Sequence, residues 1–339
     1  MQRAWFASTM LVAGLGLAAC GDDAGGASSG GSGGAASTGG ATGGTTGGGG
    51  ASTGGNGGAT GGGGASPGGN GGATGGGGAS AGGKSLRFFG TGQNDVDRVK
   101  IKLDAPAVPA DVGQADFTLE LWLKVAVGEN QAGGCVAGGD GWINGNIILD
   151  RDVYGAGDYG DFGLSLFSNG LAIGVSKGNS GTTLCGSAGV HDGQWHHVAV
   201  TRSSATGQIR LWVDGKADGQ ITGPAGDVSY KNGRATSYPN SDPFLVIAAE
   251  KHDAGSAYPS FAGWVDELRL STNVRYAAPF SPPKATHAPD AHTAALYHFD
   301  EGSGTTLGDS SGASGGPSNG LLKVGGPKSG PAWTSDVPF

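Results

Sequence analysis

The chain has 339 residues, a formal net charge of -8 and 74 glycines. Glycine at that level without a strict three-residue period excludes collagen and marks low complexity. The acidic balance argues against nucleic acid, whose partners carry a basic face, and against charge-driven binding to anionic lipid.

Arg3 is the only charged residue near the start, and Ala4 to Ala19 are apolar or small. This is the charged n-region and apolar h-region of a secretory signal, too short for a comfortable membrane span. It ends in Leu17-Ala18-Ala19-Cys20, which resembles the lipobox of bacterial lipoproteins. The resemblance implies cleavage before Cys20 and lipidation of its thiol. Two or more acyl chains anchor stably, since each buried methylene contributes about 0.8 kcal/mol. Gly21 supplies no retention aspartate, so the expectation is an exported chain held in the cell envelope, with the outer membrane or cell surface favoured.

Residues 21–84 read as a linker of Gly, Ser, Ala and Thr, with one unit repeated from Gly54 to Pro67 and from Gly68 to Ala81. These units carry no large apolar side chain, so nothing offsets the entropy of ordering them, and disorder is expected. A Gly/Ser chain of this length has a mean span of about 45 Å. A spacer and a neutral repeat expansion fit the residues equally.

From Ser85 onward the pattern becomes short alternating runs: Leu86–Phe89, Arg98–Leu103, Phe117–Leu123, Gly163–Phe167, His197–Arg202 and Ile209–Val213. Period two predicts strands with one buried and one wet face. Ser168-Asn169-Gly170, Thr206-Gly207 and Asp214-Gly215-Lys216 supply the turns between them. No stretch sustains a helical period. The roughly 255 residues after Lys84 therefore predict one all-β domain, an antiparallel sandwich or barrel.

Four ordered motifs then carry a resemblance. Asp192–Thr201 followed by Ile209–Lys216 is similar to the hairpin of laminin-G-like jelly rolls, and Phe261–Leu270 to their closing strand. Asp116–Leu123 and Leu86–Ile101 are similar to their central and opening strands, so the core motifs span 85–271. The family implies a two-sheet antiparallel jelly-roll sandwich of the concanavalin A type, here assigned to residues 85–339. Leu296–Thr305, Asp309–Gly312 and Ala332-Trp333 resemble a block that precedes the opening strand in many relatives. The favoured expectation is a permuted arrangement in which 294–334 completes the same sandwich. The alternative is the start of a truncated second domain.

Cys135 and Cys185 are the cysteines left after lipidation, and an oxidising compartment predicts a disulfide between them. A calcium ion is the only cofactor expected. Sandwiches of this family often join an early loop to the closing strand through one, which here selects Asn94, Asp95, Asp97 and Asp266. Phe89-Gly90 departs from the family's Phe-Asp-Gly, and the same acids also suit turn capping and ion pairing. Asp150, Asp152, Asp158 and Asp161 around Tyr154 and Tyr159 form a possible sugar loop, with a solvated loop the preferred reading. Trp142 is expected to be an exposed contact residue, because it sits in the loop Asp140-Gly141-Trp142. His196 and His197 cannot both face one ion, since adjacent strand residues point to opposite faces.

Retaining glycosidases need two carboxylates about 5–5.5 Å apart. The spaced acids of related glucanases are absent, and Glu120 stands alone between Leu119 and Leu121. No nucleophile elbow or zinc-binding His-Glu-x-x-His helix appears either. The sequence thus points to a non-catalytic binding or adhesion module for a glycan or a surface protein. The alternatives are a glycan-active hydrolase or lyase and a structural envelope protein.

Overall fold

The computed structural model describes residues 83–154, 160–230, 236 and 238–339. Cys20, the linker up to residue 82, Asp158 and Tyr159 lie outside the described residues. The described residues fall within one unit, Thr74–Phe339.

Two antiparallel sheets of eight strands each form a sandwich. The first has the order β10 (Lys216–Thr222), β9 (Gln208–Val213), β8 (Trp195–Arg202), β3 (Phe117–Lys124), β12 (Ala262–Ser271), β1 (Ser85–Phe89) and β16 (Ala332–Thr334). Its eighth strand, β13 (Thr293–Tyr297), pairs with β12 past the stretch that β1 covers. The second sheet runs β14 (Thr306–Leu307), β15 (Gly320–Lys323), β2 (Arg98–Lys102), β11 (Phe244–Ile247), β4 (Asn146–Asp150), β5 (Asp161–Phe167), β6 (Gly170–Lys177) and β7 (Ser180–Cys185). The C-terminal segment feeds both sheets. β16 pairs with β1, with Leu86 opposite Trp333, while β15 pairs with β2, with Val99 opposite Leu322.

The core lies between the sheets. Leu119, Leu121, Leu123, Val198, Val200 and Leu211 enter from the first sheet, and Ile101, Leu164, Leu166, Ile173, Val175 and Leu245 from the second. All are fully buried, and each contributes about 1.5–3 kcal/mol by leaving water. The β9–β10 hairpin closes through Asp214 and Gly215, with φ of 50° and 72°. Positive φ at both positions is what a two-residue turn on right-twisted strands requires.

The outward faces are not simply wet, as period two had predicted. On the first sheet, Glu120 and His197 point away from the core yet are fully buried, because Tyr276, Phe280 and His287 from the segment after β12 pack over them. On the second, the outward positions of β5 and β6 include Gly163, Ser165, Ala172 and Gly174. Trp142 lies across them. A methyl added at Gly163 or Gly174 would come within 1.9 or 1.8 Å of its indole. Trp142 is therefore 2 % exposed and forms a second small core with Ala132, Ile147, Phe167 and Ala172. This corrects its expected role as an exposed contact: the small residues opposite it create a seat that the local loop sequence does not reveal. The Cys135–Cys185 disulfide, with Cα atoms 5.8 Å apart, ties the covering segment to β7.

Candidate functional site

The described chain starts at Gly83, where Lys84 N donates to Asp300 Oδ1, and β1 carries it to Phe89 at the other end of that strand. At this far rim three segments meet: 90–97, 125–146 and 248–261. Buried polar groups hold them. Asp97 Oδ2 accepts from the backbone N–H groups of Phe89 and Thr91, both at 2.9 Å, and from the Thr91 hydroxyl at 3.0 Å. Burial raises the Asp97 pKa, against the opposing pull of these hydrogen bonds. The buried Arg98 guanidinium donates to the carbonyls of Gly92 and Glu250, joining the first loop to the third. Asn130 exchanges two hydrogen bonds with the backbone of Ala262, and Asn146 bridges Ala132 N and Ser260 O.

With the frame so held, a cleft of about 1060 Å³ opens at the rim. Its mouth carries the exposed amides Gln93, Asn94, Gln131 and Asn144, the hydroxyl of Ser256 and the half-buried ring of Phe89. Asn94, Asp95 and Asp97 adopt φ of 61°, 57° and 50°. Left-handed backbone at non-glycine residues is costly and concentrates where surrounding structure imposes it, often at binding sites.

A second groove of about 640 Å³ shares Gln93 and Asn94 with the cleft and reaches Asn240, Ser241 and His252. Behind it lies an acid–imidazole cluster. Asp150, at the end of β4, is fully buried and accepts from Asp152 N and Lys251 N, both at 2.9 Å. Burial, then the Asp152 charge, pushes its carboxyl well up. Burial also raises Asp152. His252 Nδ1 sits 2.9 Å from Glu250 Oε1 and 3.5 Å from Asp152 Oδ1, while Nε2 is 2.5 Å from Asp242 Oδ1. Burial works against a charged His252. The Glu250 hydrogen bond, the Asp152 charge and the Asp242 hydrogen bond outweigh it and lift the imidazole to about 9. Tyr154, 57 % exposed, meets Tyr238 edge-on at 4.7 Å between ring centroids beside this cluster.

The structure thus gathers Asp150, Asp152 and Tyr154 from the expected sugar loop, and Asp161, whose charge also raises Asp152, accepts from Ser176 on the outward face of β5 and β6. The four residues expected to hold calcium are not gathered into one site. Asp95, on the surface, pairs with Lys100 and Lys323. Asp97 is bonded to Phe89 at one end of β1, while Asp266 sits one residue past Val265, which pairs with Leu86 near the other end. Four residues of strand separate those levels, about 13 Å. Asp266 is instead pushed up to about 8 by burial, then by the charges of Glu267 and Asp300. Asp242, Glu250 and His252 form no recognisable motif in the sequence, and their one signal is the dense charged run Glu250-Lys251-His252-Asp253 after an apolar stretch. His196 and His197 diverge: His196 lies between Asp192 and Asp214 near the surface, and His197 is buried against Glu120.

The Laminin_G_3 family model, described as Concanavalin A-like lectin/glucanases superfamily, matches residues 97–278, more than half of the chain. The chain belongs to this family. No curated protein sequence matches it. Among solved structures it is similar to a putative carbohydrate binding protein from Bacteroides ovatus, with 16% identity and a TM-score of 0.44 over 74% of this chain and 61% of that one. It is also similar to domains LG4-5 of the mouse laminin alpha1 chain, with 15% identity and a TM-score of 0.38 over 60% and 46%. A third is the CBM40 of the Ruminococcus gnavus IT-sialidase, with 14% identity and a TM-score of 0.38 over 57% and 92%. The chain thus spans less than two thirds of the first two of these structures.

Proposed function

We propose that this chain is a non-catalytic carbohydrate-binding module, displayed from a lipid anchor at Cys20 through the glycine-rich linker. The family description covers both lectins and glucanases, so the site has to decide between them. The observation that carries the reading is the rim cleft of about 1060 Å³ with Gln93, Asn94, Gln131 and Asn144 at its mouth. Amides both donate and accept, which suits the hydroxyls of a neutral sugar, and Phe89 offers an apolar surface to a ring face. No carboxylate is among the residues lining this cleft. The outward face of β5 and β6 is covered by Trp142.

Glycan-array binding by the detergent-solubilised full chain tests this. We expect retention of at least one glycan class, weakened about tenfold or more by the pair Gln131→Ala and Asn144→Ala, with no new reducing ends released. Binding that ignores both substitutions, or release of reducing ends, would overturn the reading.

A further inference from the structure

Asp152 follows β4, whereas Glu250 and His252 belong to the loop after β11. One ligating atom from each lies within 4.8 Å of the other two. The two nitrogens of His252 have different surroundings. Nδ1 faces Glu250 Oε1 and Asp152 Oδ1, and Nε2 is held from behind by Asp242 Oδ1. A metal-bound imidazole almost always gives its other N–H to a carboxylate or carbonyl, which sets the tautomer and aims the free lone pair. Asp242 is fully buried, also accepts from Tyr154 N, and its Oδ2 has no hydrogen-bond partner. Asp152 Oδ1 has none either. Carboxylate oxygens that have lost water without gaining a donor are costly.

The nearby cations do not remove this excess. Lys251 Nζ is 3.8 Å from Asp152 Oδ1 but donates to the carbonyls of Asp242 and Phe244. Arg98 spends two of its donors on the carbonyls of Gly92 and Glu250. Three acids, Asp152, Asp242 and Glu250, therefore converge on one imidazole.

We propose that Asp152, Glu250 and His252 bind one divalent transition-metal cation of the zinc class, with Asp242 as the positioning residue behind His252. The ligand set decides the class. Calcium takes oxygen ligands only, whereas one imidazole with two carboxylates suits zinc, manganese, cobalt or nickel. Binding exchanges the Nδ1 proton of His252, which leaves to solvent, for the metal–nitrogen bond. His252 also lines the groove that reaches Asn240 and Ser241. The site is separate from the amide cleft and does not depend on the carbohydrate reading.

Zinc titration by calorimetry into the chelator-stripped full chain, with zinc-edge X-ray absorption on the loaded protein, tests the proposal. We expect one equivalent bound, a first shell with one imidazole and carboxylate oxygens, and no displacement by millimolar calcium. His252→Gln should weaken binding at least tenfold, and Asp242→Asn about 10–100-fold, the usual cost of losing an outer-shell partner. His292→Gln should change nothing. No binding by the wild-type chain, more than one imidazole or none in the shell, displacement by calcium, or full affinity in a folded His252→Gln variant would each overturn the assignment. Should His252→Gln fail to fold, the wild-type absorption spectrum still decides.

Discussion

Two buried polar clusters in this molecule use the same residue types in opposite proportions. Under the segment after β12, one carboxylate, Glu120, is surrounded by donors. Arg269 reaches Oε1 at 2.7 Å, and Tyr276 and His197 reach Oε2 at 2.6 and 3.2 Å. Beside the second groove, one imidazole, His252, is surrounded by Asp152, Asp242 and Glu250. Each cluster includes three potential metal ligands within 4.8 Å of one another. Only the second leaves carboxylate oxygens without donors. Proximity of ligating atoms is therefore a poor guide by itself. The balance of donors and acceptors separates a cluster that ties down a loop from one with capacity for a cation.

The largest effect should come from the saturated cluster. Burial opposes ionisation of Glu120, but the His197 hydrogen bond, His287 and Arg269 hold its pKa down to about 2. Glu120→Ala strands Arg269 and should cost about 3–5 kcal/mol in urea unfolding at pH 7. The stabilisation from this carboxylate is present above about pH 4.5 and fades as pH falls towards 2. A loss below 1 kcal/mol would erase the contrast between the two clusters.

The second effect runs the other way along the pH axis. With His252 raised from 6.5 to about 9, its stabilising contribution is complete below about pH 6.5 and disappears as pH rises through 9. In chelator, the wild type should lose on the order of 3 kcal/mol over that window relative to His252→Gln, at 1.36 kcal/mol per pKa unit. Parallel stability profiles for the two proteins would show that the surrounding acids do not hold a charged imidazole.

Smaller effects sharpen the contrast. Tyr276→Phe removes one donor from Glu120 and should cost about 1 kcal/mol, seen as a lower thermal midpoint. Asp152→Asn removes one acid from a crowded set and should shift stability by less than about 1 kcal/mol in chelator, with the sign favouring the variant. A loss as large as that for Glu120→Ala would mean the second cluster is as tightly balanced as the first.

Much of the sandwich is legible in the sequence. The alternating runs coincide with β1, β2, β3, β5, β8 and β9, and Asp214-Gly215 sits at the predicted turn. Strand propensity, alternation and turn chemistry are local, so a short window of residues carries them. The candidate site is legible only in fragments. Asp150, Asp152 and Tyr154 stand out as an acidic, aromatic stretch, but their partners Asp242, Glu250 and His252 lie roughly ninety residues further on. The burial of Trp142 depends on Gly163 and Gly174, which read as ordinary strand glycines until the indole is seen above them.

The amino-acid order alone specifies an all-β chain, its family, the cysteine pair available for a disulfide and the composition of the linker, because these rest on periodicity, motif and residue content. Only the tertiary structure decides which outward faces are covered, that β15 and β16 join opposite sheets, and that three acids close on one histidine. Those outcomes depend on distances between segments far apart along the chain, and on which polar atoms lose their water when the loops pack together.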